Sequence, residues 1–250
     1  MNKDNSNRLQ IGILLICTGK YGTFLQPLID GLNTNFFINE DITIFLFSDR
    51  ETYHLSLNKR FSIVHIPIEH KPWPYSTLFR YKYFTQAAKH IKRTDYCFYS
   101  DVDMAFVGKV DREILSEITV TRHPGFYNNG NEWGSPNCHE RSTAFLPERN
   151  RKSYFAGGFN GGKTEHFLEM SRILDINIDT DEDNSILAQH NDETHLNWFI
   201  NTRANGFLVK ELTPSYCMIP DIEVRNKYGL GHLEPKIIAL DKNHAEMRAD

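Results

Sequence analysis

The sequence predicts an α/β fold in one domain, and three observations predict it. Two predominantly apolar runs, Leu9 to Cys17 (LQIGILLIC) and Ile42 to Phe47 (ITIFLF), flank a stretch with helical spacing, Thr23 to Leu32 (TFLQPLIDGL). Runs of this kind are what strands covered on both faces look like, and strand–helix–strand is the unit of a parallel sheet. A third run, Tyr96 to Phe106 (YCFYSDVDMAF), is aromatic and apolar except where two carboxylates, Asp101 and Asp103, stand with one residue between them.

The elements follow in order. Thr18-Gly19-Lys20-Tyr21 is the turn after the first strand, and Pro27 is placed to kink the helix that follows. Ser48-Asp49-Arg50 ends the second strand, and Phe61 to Ile66 reads as a third. Pro72-Trp73-Pro74 is a rigid corner, after which Ser76 or Thr77 can cap a helix running to Ile91. The aspartate strand comes next. Glu113 to Ile118 reads as short and helical or mixed, and Gly125 to Cys138 as a loop, being rich in Gly and Asn. Gly157 to Gly162 is glycine-dense; from its residues alone a plain turn is the competing reading. Lys163 to Leu174 has helical spacing, Asp179 to Asn184 reads as an acidic solvated turn, and Asn191 or Asp192 can cap a helix to Ile200. The tail from Glu234 is polar and largely without periodicity.

At 250 residues the chain suits one large α/β domain or two small ones. No linker, repeat or low-complexity tract divides it, so one domain over 1–250 is expected, with 1–8 and the tail from about 240 mobile. A hydrophobic content of 40% with 24% charged residues is ordinary for a globular protein in water. The net charge of −4 gives no general attraction to nucleic acid or anionic membrane. An anionic ligand must therefore be held locally, by a metal or by placed cations. Cys17, Cys97, Cys138 and Cys217 are scattered without a CxxC pair, and the first two lie in apolar runs. Buried thiols, no disulfide framework and a reducing compartment are expected. The first apolar run is too short to cross a bilayer or serve as a secretion signal, and no later window supplies a span. A cytoplasmic protein is expected, with peripheral contact to a membrane left open.

The aspartate pair carries the chemistry. Read as one strand, the run places Asp101 and Asp103 on a common face. Like charges side by side call for something positive between them, and oxygen ligands suit manganese or magnesium, with positions left for a substrate phosphate. A bare DxD is also what a solvated turn at a strand end can look like. Ligands of open α/β sheets bind beyond the carboxyl ends of the strands, where Thr18 to Tyr21 and the two aspartates both fall.

Several segments together resemble glycosyltransferase family 6, which holds the histo-blood-group transferases, the α-1,3-galactosyltransferases and soluble bacterial relatives. The matching stretches are DVDM at Asp101–Met104, HPGFY at His123–Tyr127, YFAGGFNGG at Tyr154–Gly162, DETHLN at Asp192–Asn197 and Lys242-Asn243-His244. They keep the family's order and similar spacing from about Gly12 to Arg248, nearly the whole chain. The resemblance implies a GT-A fold, a Rossmann-like nucleotide-binding domain with a mixed central sheet. It implies transfer of galactose or N-acetylgalactosamine from a UDP-sugar donor to an oligosaccharide or glycolipid acceptor, with retention of configuration. It also implies manganese (Mn2+) held by Asp101 and Asp103, with magnesium (Mg2+) as a substitute. For the donor it implies contacts from Ile16, Cys17, Thr18, Tyr21, Arg80, Val102, Ala156 and Asp192, and from the tail cations Lys242 and Arg248. Gly157 and Gly158 match the pair that sets donor choice; two small glycines tend to go with N-acetylgalactosamine. Glu193 matches the catalytic glutamate, either a nucleophile or a stabiliser of the oxocarbenium-like transition state. His123, Ser135 and Glu193 match acceptor contacts.

The chain departs from relatives where the acceptor is read. Relatives often carry Trp-His before the Asp-Glu pair; here it is His190-Asn191, without the tryptophan's stacking face. Asn137-Cys138-His139 replaces a Glu-Arg-Arg stretch, and the sequence after Leu212-Thr213-Pro214 diverges, with Asp221 a candidate acidic contact there. The expected activity is an α-1,3-N-acetylgalactosaminyltransferase acting on a galactose-containing acceptor, fucosylated or not. The alternatives are an α-1,3-galactosyltransferase and a non-catalytic nucleotide-sugar or glycan-binding module.

Overall fold

A computed structural model describes residues 8–51 and 53–248. The central strands are β1 (Gln10–Cys17), β2 (Asp41–Ser48), β3 (Phe61–Pro67) and β4 (Tyr96–Ser100). β1, β2 and β3 are parallel, and β4 runs parallel to β1 on its other side. Between β1 and β2 lie a 3₁₀ turn and α1 (Leu25–Asn35). Pro27 sits in the first turn of α1, where no intrahelical partner awaits its missing N–H. Between β3 and β4 the expected single helix is three short ones, α2 (Tyr75–Leu78), α3 (Arg80–Gln86) and α4 (Ala88–Ile91). Pro74 holds the N-cap position of α2, and the Thr77 hydroxyl bonds back to its carbonyl, 2.8 Å away, so neither Ser76 nor Thr77 is the cap.

The second half adds β5 (Met104–Phe106), β6 (Ile118–Arg122), β7 (Phe155–Lys163), α5 (Thr164–Asp183), α6 (Asn191–Thr202), β8 (Val209–Leu212), α7 (Ile222–Lys227), β9 (Ile237–Ala239) and α8 (His244–Arg248). The main sheet has seven strands in the order β3-β2-β1-β4-β7-β6-β8, with β7 antiparallel to both neighbours and β8 parallel to β6. β5 and β9 pair antiparallel in a small separate sheet. Successive side chains of β1 alternate between two apolar layers. Ile11, Ile13, Leu15 and Cys17 pack with α1, while Leu14 packs with α3, α5 and α6. Strand order reverses between β1 and β4, and the crevice beyond their carboxyl ends is where such sheets take ligands.

Three further sequence readings change, and a fourth, the mixed segment Glu113–Ile118, holds. The aspartate run is not one strand: β4 ends at Ser100, residues 101–103 turn, and β5 leaves for the other sheet. Alternation along a strand therefore does not orient the aspartates. The glycine-dense segment is not a turn but β7, buried from Phe155 to Gly162 in mid-sheet. Its glycines answer close backbone approach: a Cβ at Gly161 would collide with the Cys97 carbonyl oxygen, and one at Gly162 with that of Glu117. The acidic stretch Asp179–Asp183 is the last turn of α5, where Ile178 and Asp181 remain buried. The segment Glu113–Ile118 contributes a 3₁₀ turn at Arg112–Ile114, and then β6 begins. β6 escapes a hydropathy reading because its buried Thr119 and Thr121 satisfy their hydroxyls on the carbonyls of Ile114 and Phe159, 2.7 and 2.9 Å away. The N-terminal residues 1–7, expected to be mobile, lie outside the described residues.

Candidate active site

Two cavities open at the crevice and share Asp101, Asp103 and Lys242 as lining. The first, of about 430 Å³, lies over the ends of β1 and β4. Ile16, Thr18, Tyr21 and Val102 line it, together with Arg50 and Trp73, which the sequence reading did not single out. The Cys17 side chain points into the core, its Sγ 3.6 Å from the Tyr53 hydroxyl, and burial pushes its thiol pKa up, so a donor contact there would be through backbone. The tail from Lys242 to Met247 lies across this cavity: both of those residues line it, and Lys20 Nζ donates to the Glu246 carbonyl at 3.0 Å. Arg248 ends α8, and its side chain lies outside the described residues.

Because residues 101–103 form a turn, each aspartate has its own setting. The Asp101 amide donates to the Gly158 carbonyl at 2.9 Å, tying the turn to β7. Its carboxylate accepts from the Tyr99 hydroxyl and from Arg80 Nη2 at 3.4 Å. The Asp103 carboxylate accepts from Lys242 Nζ. Burial raises the Asp103 pKa and the Asp101 charge adds to this, while Lys242 opposes both. Among the described residues no group of three or more His, Cys, Asp or Glu could hold a metal. The protein thus offers a cation two carboxylates beside a cavity, and the other positions would fall to phosphate oxygens and water. That donor set fits magnesium or manganese, which keep water and share phosphate ligands.

Arg80 binds the halves of the site together. It is 3% exposed and lines neither cavity. Nη1 donates to the Gly157 carbonyl at 2.8 Å, Nε lies 2.9 Å from Asp192 Oδ2, and the guanidinium covers the Tyr99 ring at 4.2 Å. Asp192 is buried too, and burial pushes its pKa up to about 7 against the pull of Arg80. One cation therefore joins the aspartate turn, β7 and the first turn of α6.

The second cavity, about 540 Å³, holds Ala156, Gly158, His123 and Glu193. Glu193 Oε2 accepts the Gly157 amide at 2.8 Å. Burial raises the Glu193 pKa, opposed by that bond and by the buried Tyr154 hydroxyl nearby. Neighbouring glycines on β7 face opposite ways. A Cβ at Gly157 would lie 3.4 Å from Asp192 Oδ2 and 3.5 Å from Glu193 Cβ. One at Gly158 would meet Asp101 Oδ2 at 3.1 Å, Met104 Cε at 3.2 Å and Cys217 Sγ at 3.6 Å. Gly158 alone of the two borders the cavity. His123 Nδ1 accepts the Gly125 amide at 3.1 Å, which leaves Nε2 to carry the proton of the neutral ring. Burial lowers its pKa to about 4, so the ring is neutral near pH 7. Ser135 lines neither cavity; its hydroxyl lies 2.9 Å from His190 Nε2 and accepts from Gln189 at 3.0 Å.

Neither Asn191 nor Asp192 caps α6. His190 holds the cap position, and its amide donates to the Thr194 hydroxyl at 2.9 Å. Asp221 is likewise committed, accepting the Glu223 and Val224 amides at 2.7 and 3.0 Å as the cap of α7. Sequence reasoning missed Tyr99, Tyr154, Met104 and Cys217. Tyr99 carried one signal, its place two residues before Asp101; Met104 and Tyr154 lay inside the matched stretches without a role assigned to them, and Cys217 carried no signal, since only the fold brings it beside Gly158.

Behind Glu193, α6 rests on a buried histidine. His195 Nε2 lies 3.7 Å from Asp181 Oδ2, and Asp181 also accepts from the Ser142 hydroxyl at 2.6 Å and the Thr143 amide at 2.7 Å. Burial lowers the His195 pKa to about 4 from 6.5, despite Asp181. A depressed histidine contributes stability that is whole above its unfolded pKa and is lost as pH falls through the folded one. We expect His195→Gln to flatten this response. Between pH 6.5 and 4 the wild type should lose up to about 3 kcal/mol more than the variant, several degrees in thermal unfolding.

A mixed α/β sheet with its crevice at the β1/β4 reversal, an aspartate turn and a long tail across the opening define a GT-A-like glycosyltransferase fold. The chain belongs to glycosyltransferase family 6, whose model matches residues 2–249. Similar proteins include globoside alpha-1,3-N-acetylgalactosaminyltransferase 1 of Gallus gallus, 26% identical over 83% of this chain and 61% of that protein. The O-antigen biosynthesis glycosyltransferase WbnI of Escherichia coli is 25% identical over 76% of this chain and 81% of its own. Histo-blood group ABO system transferase 1 of Rattus norvegicus is 26% identical over 95% of this chain and 68% of its own. The match thus spans less than two thirds of the Gallus protein. Among the described residues no helix is long and apolar enough to cross a membrane.

Proposed function

We propose that the protein transfers N-acetylgalactosamine from UDP-N-acetylgalactosamine, with retention, in α-1,3 linkage to a galactose-containing glycan. The single observation that carries this reading is the opening of Gly158 onto the cavity that also holds Glu193, beside the aspartate turn. In this reading Ile16, Thr18, Tyr21 and Val102 shape the nucleotide end of the first cavity. Asp101 and Asp103 hold the divalent cation, which when bound supplies Lewis-acid stabilisation of the departing diphosphate. Lys242 adds a further charge to the diphosphate, and Arg248 is proposed to do the same. The sugar lies over Ala156 and Gly158, where absence of a Cβ leaves room for the acetamido group. Asp192 and Arg80 act from beneath, keeping the first turn of α6 against β7. Glu193 faces the sugar with its carboxylate fixed by the Gly157 amide, and His123 offers Nε2–H to an acceptor hydroxyl. Ser135 acts on the acceptor side through His190. The proposed setting is the cytoplasm.

Turnover of UDP-N-acetylgalactosamine and UDP-galactose, with and without lactose, tests the reading. Preference for the N-acetyl sugar supports it; preference for galactose favours the galactosyltransferase alternative. UDP binding without turnover of either donor favours a binding module. Gly158→Ala is the sharper probe. Its backbone does not require glycine, but the added methyl, 3.1 Å from Asp101 and 3.2 Å from Met104, fills space the acetamido group needs. The donor ratio should move towards UDP-galactose by about tenfold or more. An unchanged ratio would detach Gly158 from donor choice.

A further inference from the structure

The second cavity has a set of apolar lining residues, Ile219, Pro220, Val224 and Tyr228, that no step proposed above uses. Val224 on α7 and Tyr228, the residue that ends that helix and donates its amide to the Val224 carbonyl at 3.1 Å, both line the cavity. Ile219 and Pro220 line it too, as do His123, Pro124 and Glu193. Tyr228 is 40% exposed, a large ring held at the cavity in place of being buried in the core.

A six-residue helix does not hold itself in place. Here its lead-in is clamped at both ends. Asp221 caps it, and Arg225 Nη2 donates to the Pro220 carbonyl at 3.0 Å while its Nε donates to Ile219. At the far end the Leu230 amide donates to the Arg225 carbonyl at 2.8 Å, and Leu230 is fully buried. The ring is therefore carried on a fixed support.

From this geometry we infer that Tyr228 is an acceptor-specificity residue, its ring stacking on the apolar face of the acceptor pyranose beside Val224. The inference rests on the glycosyltransferase reading and deepens it. A pyranose has a rim of hydroxyls and at least one face of C–H groups, and an aromatic ring suits that face. In galactose the axial O4 leaves C3–H, C4–H and C5–H together on one side. In glucose the equatorial O4 breaks up that patch. The rim hydroxyls then meet polar groups, the His123 Nε2–H and the Glu193 carboxylate. Two other candidates for this role are already committed: Asp221 to its cap and His190 to Ser135.

The test is steady-state transfer to lactose and to cellobiose by wild type, Tyr228→Phe and Tyr228→Leu, with donor KM and unfolding temperature measured alongside. Tyr228→Leu should raise the lactose KM about tenfold and narrow the preference for lactose over cellobiose, with donor KM and unfolding temperature held. Tyr228→Phe should keep wild-type values, because the ring and not the hydroxyl is the platform. An unchanged lactose KM in Tyr228→Leu overturns the inference. So does a parallel rise in donor KM, which would make the ring a structural support of the whole cavity. Wild-type protein that hydrolyses donor yet transfers to neither disaccharide also overturns it, while leaving the transferase reading standing. Absence of any donor turnover fails that reading itself.

Discussion

Glu193→Gln should lower transfer on the order of 10³-fold, ~4 kcal/mol of transition-state stabilisation, while UDP affinity stays near the wild-type value. The expectation comes from position. The carboxylate shares the second cavity with Gly158, whereas the first cavity, proposed for the nucleotide, does not include it. Glutamine keeps the shape, and its amide oxygen can still accept the Gly157 N–H that Glu193 Oε2 accepts at 2.8 Å. In the proposed reading it removes the negative charge that would face a sugar becoming cationic as UDP departs. Glu193→Ala should lose at least as much, because it also strips a buried amide of its partner. The measurements are single-turnover rates with UDP-N-acetylgalactosamine and calorimetric UDP affinity. Near-normal turnover in the glutamine variant would remove Glu193 from the chemistry.

Removal of divalent metal should be comparably severe, a fall on the order of 10³-fold under excess chelator that manganese restores. The two aspartates should differ in how they contribute. Asp103 meets Lys242, a tail residue, so Asp103→Asn should weaken manganese binding with little change in unfolding temperature. Asp101 also accepts from Tyr99 and buried Arg80, so Asp101→Asn should weaken manganese binding and lower the unfolding temperature as well. Manganese titration followed by electron paramagnetic resonance, with thermal unfolding of each variant, separates the two effects. Turnover that survives complete chelation would mean that Lys242 and its neighbours carry the diphosphate without a metal.

The parallel half of the fold was legible because it is written in local pattern. β1 and β2 are predominantly apolar runs, and the helix between them has its own spacing. The antiparallel half was less so. β7 is a strand whose glycines carry little β propensity, and β6 and β8 mix polar and apolar residues. Only pairing with neighbours tells such segments from loops. The same division runs through the site. Asp101, Asp103, Gly158 and Glu193 could be singled out from motif and resemblance. Their grouping around one cavity rests on contacts between residues far apart in the chain, such as Asp101 with Gly158 and Gly157 with Glu193.

The class of fold, the crevice at the ends of β1 and β4, the family and the residue types available for chemistry could all be read in one dimension. Each follows from local composition and order, which survive in one dimension. Tertiary structure decided what those residues do to one another. It broke the aspartate run into a turn, buried Arg80 as a strut from Asp101 to Asp192, and turned Gly157 and Gly158 to opposite faces. It also committed Asp221 to a helix cap and brought Tyr228 to the cavity wall. The physical reason is that a charge, a missing Cβ or an exposed ring has no role until its neighbours are known, and here most of those neighbours come from distant strands and helices.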